Sequence, residues 1–176
     1  MCIRDSTGSD PEIRDNRVIC SSTSGGIGVL LLPGPGARID RNSVEGCGQG
    51  YVGAGAGMVL TRNLAIDSAT SGFNLGDFAS FTKNAAIGNR QQGLVLNSGS
   101  TPGVLTGNAF IGNGTFGNCG ISNNSGTTVT ANGNYWGAPT GPGADPADQP
   151  CDGVGSFTVT TPFSTTDSTP AQSPLR

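Results

Sequence analysis

The chain has 176 residues, of which 34% are hydrophobic, 12% charged and 6% aromatic, with 30 glycines, 11 prolines and no histidine. This length and apolar content predict one domain, and the glycine and proline content disfavours helices. The net charge of −3, with nine basic residues scattered singly, argues against nucleic acid as a partner. No apolar run approaches the length of a membrane span.

The first twelve residues do not follow the pattern of the rest. The opening Met1-Cys2-Ile3-Arg4-Asp5-Ser6 lacks the hydrophobic region of a signal peptide. It resembles the peptide obtained when sequencing-adapter DNA is translated, and the alternative is a genuine short polar leader. We expect residues 1–12 to be a non-native or disordered leader, and in the first case the natural N-terminus lies upstream.

An asparagine recurs down the chain at spacings of 26, 21, 21, 24 and 24 residues. The six copies are Asn16, Asn42, Asn63, Asn84, Asn108 and Asn132. An apolar residue lies three positions before each copy, and another lies two positions after every copy except the last. Self-similar units of this length are typical of solenoids and other repeat architectures.

A glycine followed by an apolar residue also recurs once per unit. The five dipeptides are Gly26-Ile27, Gly57-Met58, Gly72-Phe73, Gly93-Leu94 and Gly120-Ile121. In the first four, the apolar alternation continues two residues further on, which predicts a strand with one buried face. Each unit is therefore expected to contain short strands joined by bends, without a crossover helix.

The repeated asparagines predict how the units stack. Asparagine tolerates the left-handed backbone conformation of a sharp bend. In stacked coils the amides would lie about 4.8 Å apart, so that each can donate to the next in a ladder. Leucine-rich repeats need more leucine, and propeller blades are longer. We therefore expect an all-β fold, a right-handed parallel β-helix of about six short coils over residues 13–163.

The end of the repeat region carries a more specific motif. Asn134-Tyr135-Trp136-Gly137, followed by Gly141-Pro142-Gly143, resembles the ending of many bacterial right-handed β-helix proteins. With the asparagine and glycine coils, it resembles the parallel β-helix repeat of the pectin-lyase-like superfamily. That superfamily includes pectate lyases, polygalacturonases, alginate epimerases, phage tailspikes and surface proteins of no known activity. The resemblance therefore implies a fold more than a function.

Four cysteines remain when Cys2 is set aside with the leader. Cys20 and Cys47 follow their asparagines by four and five residues, so they would nearly stack in adjacent coils, and Cys119 with Cys151 is the second candidate pair. Four cysteines allow three connectivities, and buried free thiols are the alternative. A zinc site is not expected without histidine or a C-x-x-C spacing. Disulfides would imply an oxidising compartment: periplasm, cell surface or outside.

The catalytic systems that depend on histidine are excluded from these residues, because the chain has none. Hydrolysis by a carboxylate pair needs both groups in one groove. Asp15, Asp40, Asp67 and Asp77 fall at different coil offsets, so no such pair is predicted. We assign no catalytic residue.

The resemblance implies a second chemistry, because polysaccharide lyases of this fold use calcium with an arginine or lysine base. The candidates are Asp40 beside Arg38 and Arg41, and Lys83 with Arg90. Solvated surface charge is the preferred interpretation of these residues.

The densest acidic group is a further calcium candidate. It comprises Asp145, Asp148 and Asp152, and hard cations favour such oxygen-rich loops. The spacing lacks any dedicated calcium pattern, so solvated carboxylates are the preferred interpretation. No other cofactor is expected.

Two aromatic residues near the end of the repeat have two interpretations. Tyr135 and Trp136 could stack on sugar rings, or Trp136 could cover the open end of the apolar column. We prefer the cap. Beyond it, residues 164–176 are rich in serine, threonine and proline and predict a disordered tail.

Two functions fit these observations. The first is a non-catalytic β-helix scaffold of a secreted or surface-attached bacterial protein that contacts polysaccharide. The alternative is the C-terminal portion of a calcium-dependent polysaccharide lyase, or a related carbohydrate-active enzyme, with its catalytic coils upstream. We prefer the scaffold because no groove with clustered acidic and basic groups is predicted. Nothing in the sequence decides the oligomeric state.

Overall fold

Short β-strands of two to five residues follow one another in the described part of the chain, because apolar residues alternate with polar ones only briefly before each bend. The computed structural model describes residues 3–4, 11–21, 25–31, 36–115 and 117–170. In these ranges the chain forms strands, turns and bends and no helix. All strand pairs are parallel, and the strands complete about five turns of a solenoid.

The coils up to residue 111 each contribute one strand to each of three sheets. The first sheet contains β1 (Ile3–Arg4), β4 (Ile27–Leu31), β7 (Gln49–Gly53), β10 (Ser71–Leu75), β13 (Gln92–Leu96), β16 (Cys119–Asn123) and β18 (Gln149–Asp152). The second sheet contains β2 (Glu12–Arg14), β5 (Arg38–Asp40), β8 (Val59–Thr61), β11 (Phe78–Thr82) and β14 (Pro102–Thr106). The third sheet contains β3 (Arg17–Ile19), β6 (Ser43–Glu45), β9 (Leu64–Ile66), β12 (Ala85–Ile87) and β15 (Ala109–Ile111). A separate two-stranded sheet pairs β17 (Thr128–Thr130) with β19 (Phe157–Val159).

The apolar frame around the asparagines forms the core. The residues three positions before them stack in register along the second sheet: Ile13, Ile39, Leu60, Phe81 and Leu105. The residues two positions after them stack along the third sheet: Val18, Val44, Ala65, Ala86 and Phe110. All ten side chains are buried in one cluster. The predicted parallel β-helix is confirmed.

A column of glycines brings the first sheet close to the third. Its members are Gly28, Gly50, Gly72, Gly93 and Gly120, and at each one an added Cβ would lie 2.2–2.9 Å from its nearest neighbour. The prediction that Gly26 and Gly57 belong to this series is wrong. A Cβ on Gly26 would meet nothing within 4 Å, and Met58 leads into the second sheet. The dipeptides that occupy the column in these two coils are Gly28-Val29 and Gly50-Tyr51.

The asparagines form the expected ladder along the corner between the second and third sheets. Each Oδ1 accepts from the backbone N–H and the Nδ2 of the asparagine one coil earlier, as Asn63 does from Asn42 at 3.0 Å and 3.0 Å. The spacing between partners is 26, 21, 21, 24 and 26 residues. Each ladder residue from Asn42 to Asn108 also donates to a carbonyl of the preceding coil.

Two details of the predicted ladder are wrong. The sixth member is Asn134 and not Asn132, because Asn108 donates to Asn134 Oδ1 at 2.8 Å and 2.9 Å. The left-handed residue of each bend is the one before the asparagine, with φ of 54–71°: Asp15, Arg41, Arg62, Lys83, Gly107 and Gly133. The asparagine is therefore required for its side-chain amide and not for its backbone freedom.

The predicted domain boundaries stay predictions. Within the leader, Ile3–Arg4 pairs with β4 and strand β2 begins at Glu12, while residues 1–2 and 5–10 lie outside the described part. In the tail, residues 164–170 contain no strand, and Ser164 N–H donates to the Asn134 carbonyl. Residues 171–176 lie outside the described part.

Candidate functional site

Arginines and aspartates at the first turns of the asparagine corner are paired with one another. Arg41 donates to Asp15 through Nε at 2.7 Å and Nη2 at 3.0 Å, and its Nη1 lies 2.6 Å from Asp40. Arg62 also binds Asp40, at 2.8 Å. The hydrogen bond from Arg41 lowers the pKa of Asp15 and raises the pKa of Arg41. Asp40, a calcium candidate by sequence, is thus shared between two guanidinium groups.

The other basic candidates lie apart from Asp40. Lys83 follows Thr82 at the same corner, and Thr82 is in register with Thr61, which is in register with Asp40. Lys83 therefore lies two coils beyond Arg41, with Arg62 between them. Arg90 lines an open cleft of about 290 Å³ together with Gln92, Cys119 and Cys151 on a different edge of the solenoid. These residues do not share one groove.

The three aspartates of the C-terminal loop do not converge either. Asp148 is buried and accepts from Asn113, through Nδ2 at 2.7 Å and the backbone N–H at 3.0 Å. Asp152 accepts from the backbone N–H and the hydroxyl of Thr158. Among the described residues, no three potential metal ligands lie together. The three residues are close in sequence but do not lie together in space, because Asp148 turns inward and Asp152 belongs to β18.

Asp148 ends a second ladder that the sequence analysis did not identify. Ser68 N–H donates to Asn89 Oδ1, Asn89 to Asn113 Oδ1, and Asn113 to the Asp148 carboxylate. Burial raises the pKa of Asp148 to about 6, although the hydrogen bonds from Asn113 oppose the shift. The sequence feature that could have predicted this second ladder is an asparagine or serine five positions after a first-ladder asparagine.

Of the two aromatic residues, Trp136 is part of the core, whereas Tyr135 packs against a separate cluster outside it. Trp136 is 0% exposed and lies 5.3 Å from the Phe110 ring. Because Trp136 is buried, a sugar ring cannot stack on it. Its side chain instead continues the apolar column of the third sheet beyond Phe110. Tyr135 bridges to Ala109 and packs, partly buried, against the outer cluster of Leu64, Ala85 and Ala109.

Two disulfides tie neighbouring coils together. Cys20–Cys47 has a Cα–Cα distance of 4.9 Å and Cys119–Cys151 one of 5.8 Å, both usual for disulfides. These are the two candidate pairs of the sequence analysis. One lies near the start of the described coils and the other near their end.

The outer face of the second sheet is uncharged over several coils. Thr61, Thr82 and Thr106 form one outward column in register, and Val59, Ser80 and Val104 form the next. The hydroxyls of Thr61 and Thr82 lie 3.2 Å apart. This face combines methyl groups with hydroxyl groups that can donate and accept.

Comparison with known proteins bears on the fold. A family described as right handed beta helix region matches residues 1–135. No curated protein matches the chain, and no solved structure does. The described part contains no helix that is long and apolar enough to cross a membrane. With the parallel coils and the asparagine ladder, the match shows that the chain belongs to the right-handed β-helix family, consistent with the pectin-lyase-like superfamily.

Proposed function

We propose that this chain is a non-catalytic β-helix scaffold of a secreted or surface-attached bacterial protein, and that it contacts polysaccharide. The observation that supports the proposal is that several carboxylates of the chain are already bound to other groups of the fold. Asp15 and Asp40 bind Arg41 and Arg62, and Asp148 and Asp152 close hydrogen-bonded networks. Carboxylates held in this way support the stack of coils and are not free to act as a base or a metal ligand.

The two disulfides support the proposed location. Such bonds persist in oxidising surroundings and are rare in the cytosol. Each of them joins consecutive coils, across 27 residues in one case and 32 in the other. A protein that works outside the cell benefits from coils that cannot separate at the ends.

The uncharged face of the second sheet supports contact with a carbohydrate. Its outward residues repeat once per coil along the solenoid axis, as the sugars of a polysaccharide repeat along a chain. The threonine and serine hydroxyls offer hydrogen bonds, and the valines offer apolar contact to sugar C–H groups.

Affinity electrophoresis tests the proposal. The protein is run in native gels that contain pectate, alginate or a neutral glucan, beside a non-binding protein of similar size. We expect at least one polymer to retard the protein in proportion to its concentration. Unchanged migration in every polymer would remove polysaccharide contact from the proposed function.

A further inference from the structure

A cleft opens on the outer face of the solenoid where the second sheet ends. Strand β14 is the last of that sheet, and β17, in the next coil, pairs instead with β19. Backbone hydrogen bonds join the two coils on either side of the cleft. Gly99 N–H donates to the Ser125 carbonyl and Gly107 N–H donates to the Gly133 carbonyl, both at 3.2 Å. Between these two bonds, no backbone hydrogen bond connects β14 with β17 in the described residues. The result is a short slit, closed at both ends, with an open volume of about 430 Å³.

Gly103 lies at one wall of the slit, close against β11. An added Cβ there would lie 2.1 Å from the Ala79 carbonyl oxygen, so no side chain fits between β14 and β11 at this position. The following residue, Val104, is 56% exposed at the wall of the slit. The slit is therefore built into the strand path of two neighbouring coils.

Asn132 lines the slit and has no role in the ladder that its sequence frame predicted. Its backbone carbonyl accepts from the Thr106 hydroxyl at 2.7 Å, which places it at the closed end. Its Oδ1 has no hydrogen-bond partner in the described part of the chain. This oxygen is buried, and rotation of the Asn132 side chain toward the slit would let a ligand hydroxyl donate to it.

The composition of the walls selects the class of ligand. Ala79, Gly103, Val104, Thr106, Thr130 and Asn132 contribute methyl groups, hydroxyls and one amide, and none is charged. We propose that this slit, defined by β14, β17 and Asn132, binds a neutral sugar unit of a polysaccharide. This proposal rests on the proposed polysaccharide contact. It specifies that the contact is made in the slit and that the bound sugar is uncharged. A peptide strand fits less well, because the slit is bounded at both ends.

Nuclear magnetic resonance titration of the full chain tests the assignment. Cellopentaose and mannopentaose are the neutral probes, and trigalacturonate is the acidic comparator. We expect the neutral probes to shift the amide signals of Gly103, Val104 and Thr130. Val104→Trp, which fills the slit from an exposed position, should weaken binding at least about tenfold.

The matched control is Val154→Trp, because Val154 is fully exposed and lies outside the slit. It should bind the neutral probes like the unsubstituted chain. Thr130→Val removes one hydroxyl at nearly constant volume and should weaken binding about threefold to tenfold. This second variant keeps the test decisive if Val104→Trp does not fold.

Three results would overturn the inference. Binding that is unchanged in both Val104→Trp and Thr130→Val, signal shifts confined to another face, or equal binding of trigalacturonate in the slit would each do so. If no oligosaccharide shifts any signal while a polymer retards the protein in gels, the slit is wrong and the proposed contact stands. If neither is seen, both are wrong.

Discussion

The first asparagine ladder shows what a single residue contributes to a stacked coil. Asn84 is 0% exposed, donates to Leu60 O and Asn108 Oδ1, and accepts from Asn63. A buried amide with all its groups paired stabilises the fold, whereas its removal leaves several groups unsatisfied at once. This explains why the residue recurs in every coil, while the left-handed position before it holds Asp, Arg, Lys or Gly.

Substitutions at Asn134 and Asn132 can be compared directly to test which asparagine ends the first ladder. Asn134→Ala should lower the free energy of unfolding by about 3–5 kcal/mol, because it removes the acceptor of the Asn108 N–H, one acceptor of Asn108 Nδ2 and the donor to the Leu105 carbonyl. Asn132→Ala, two residues earlier, should change it by only about 0.5 kcal/mol. Denaturant unfolding measures both. Equal losses would mean that the ladder does not end at Asn134.

Asp148 couples the second ladder to pH. Its pKa in the folded chain is raised to about 6, above the ordinary 3.8, so the folded chain holds a proton more tightly than the unfolded chain does. Its contribution to stability is therefore largest below about pH 4 and is lost as the pH rises toward and through about 6. Asp145 adds a repulsive charge, and Asn113 and Gly112 supply hydrogen bonds that partly offset the cost of burial.

Asp148→Asn should consequently stabilise the chain at pH 7.5, by about 1–3 kcal/mol. An amide oxygen at this position can accept both bonds from Asn113, as Asn113 itself does from Asn89. The variant should also lose the part of the pH dependence between about pH 4 and 6 that Asp148 provides. Thermal melts of the two chains across this range measure the effect. A variant that is less stable than the parent at pH 7.5 would contradict the assignment.

Much of the ladder could be predicted from the sequence, and the error at its end has a visible cause. With Asn132 as the sixth member, the apolar position two residues later is broken by Asn134. With Asn134, the frame holds, since Ala131 and Trp136 occupy the two apolar positions and are fully buried. The second ladder was missed because Cys47, Ser68, Asn89 and Asn113 occupy its repeated position, and no single residue type marks it.

The strands owe their spacing to the glycine column between the first and third sheets. Gly72→Ala should cost about 1–3 kcal/mol, because its Cβ would lie 2.7 Å from Asn89 Nδ2 and 2.9 Å from the Gly93 carbonyl oxygen. Gly26→Ala is the matched control, with open space around its Cβ, and should cost no more than about 0.5 kcal/mol. Urea unfolding separates the two. Similar costs would show that the column does not limit the approach of the sheets.

The presence of strands could be predicted from the alternation of apolar residues. The pairing partners of the last strands could not. Val129 is buried between two exposed threonines, as expected of an inward residue in a second-sheet strand, yet β17 pairs with β19 and not with β14. That choice depends on contacts between residues far apart in sequence, including the pairing of β18 with β16. Local periodicity carries no information about such contacts.

At the C-terminal side of the described coils, both ladders end in groups that donate no hydrogen bond to a further ladder residue. Asn134 turns its Nδ2 to Leu105 and to Ala131 of its own coil, and the Asp148 carboxylate has no N–H to donate. Trp136 extends the apolar column, and Phe163 packs against it. Family and fold follow from repetition, whereas the carboxylate partners and the slit depend on where the coils depart from repetition.

The central claim is that this β-helix contacts polysaccharide without cleaving it. New reducing ends form whenever a lyase or a hydrolase breaks a glycosidic bond, so their release measures both chemistries. Incubation with pectate, alginate and a neutral glucan, with and without calcium, should release no more reducing ends than a control without protein. Release that grows with time and protein concentration, above all if it requires calcium, would contradict the claim and make the chain part of a carbohydrate-active enzyme.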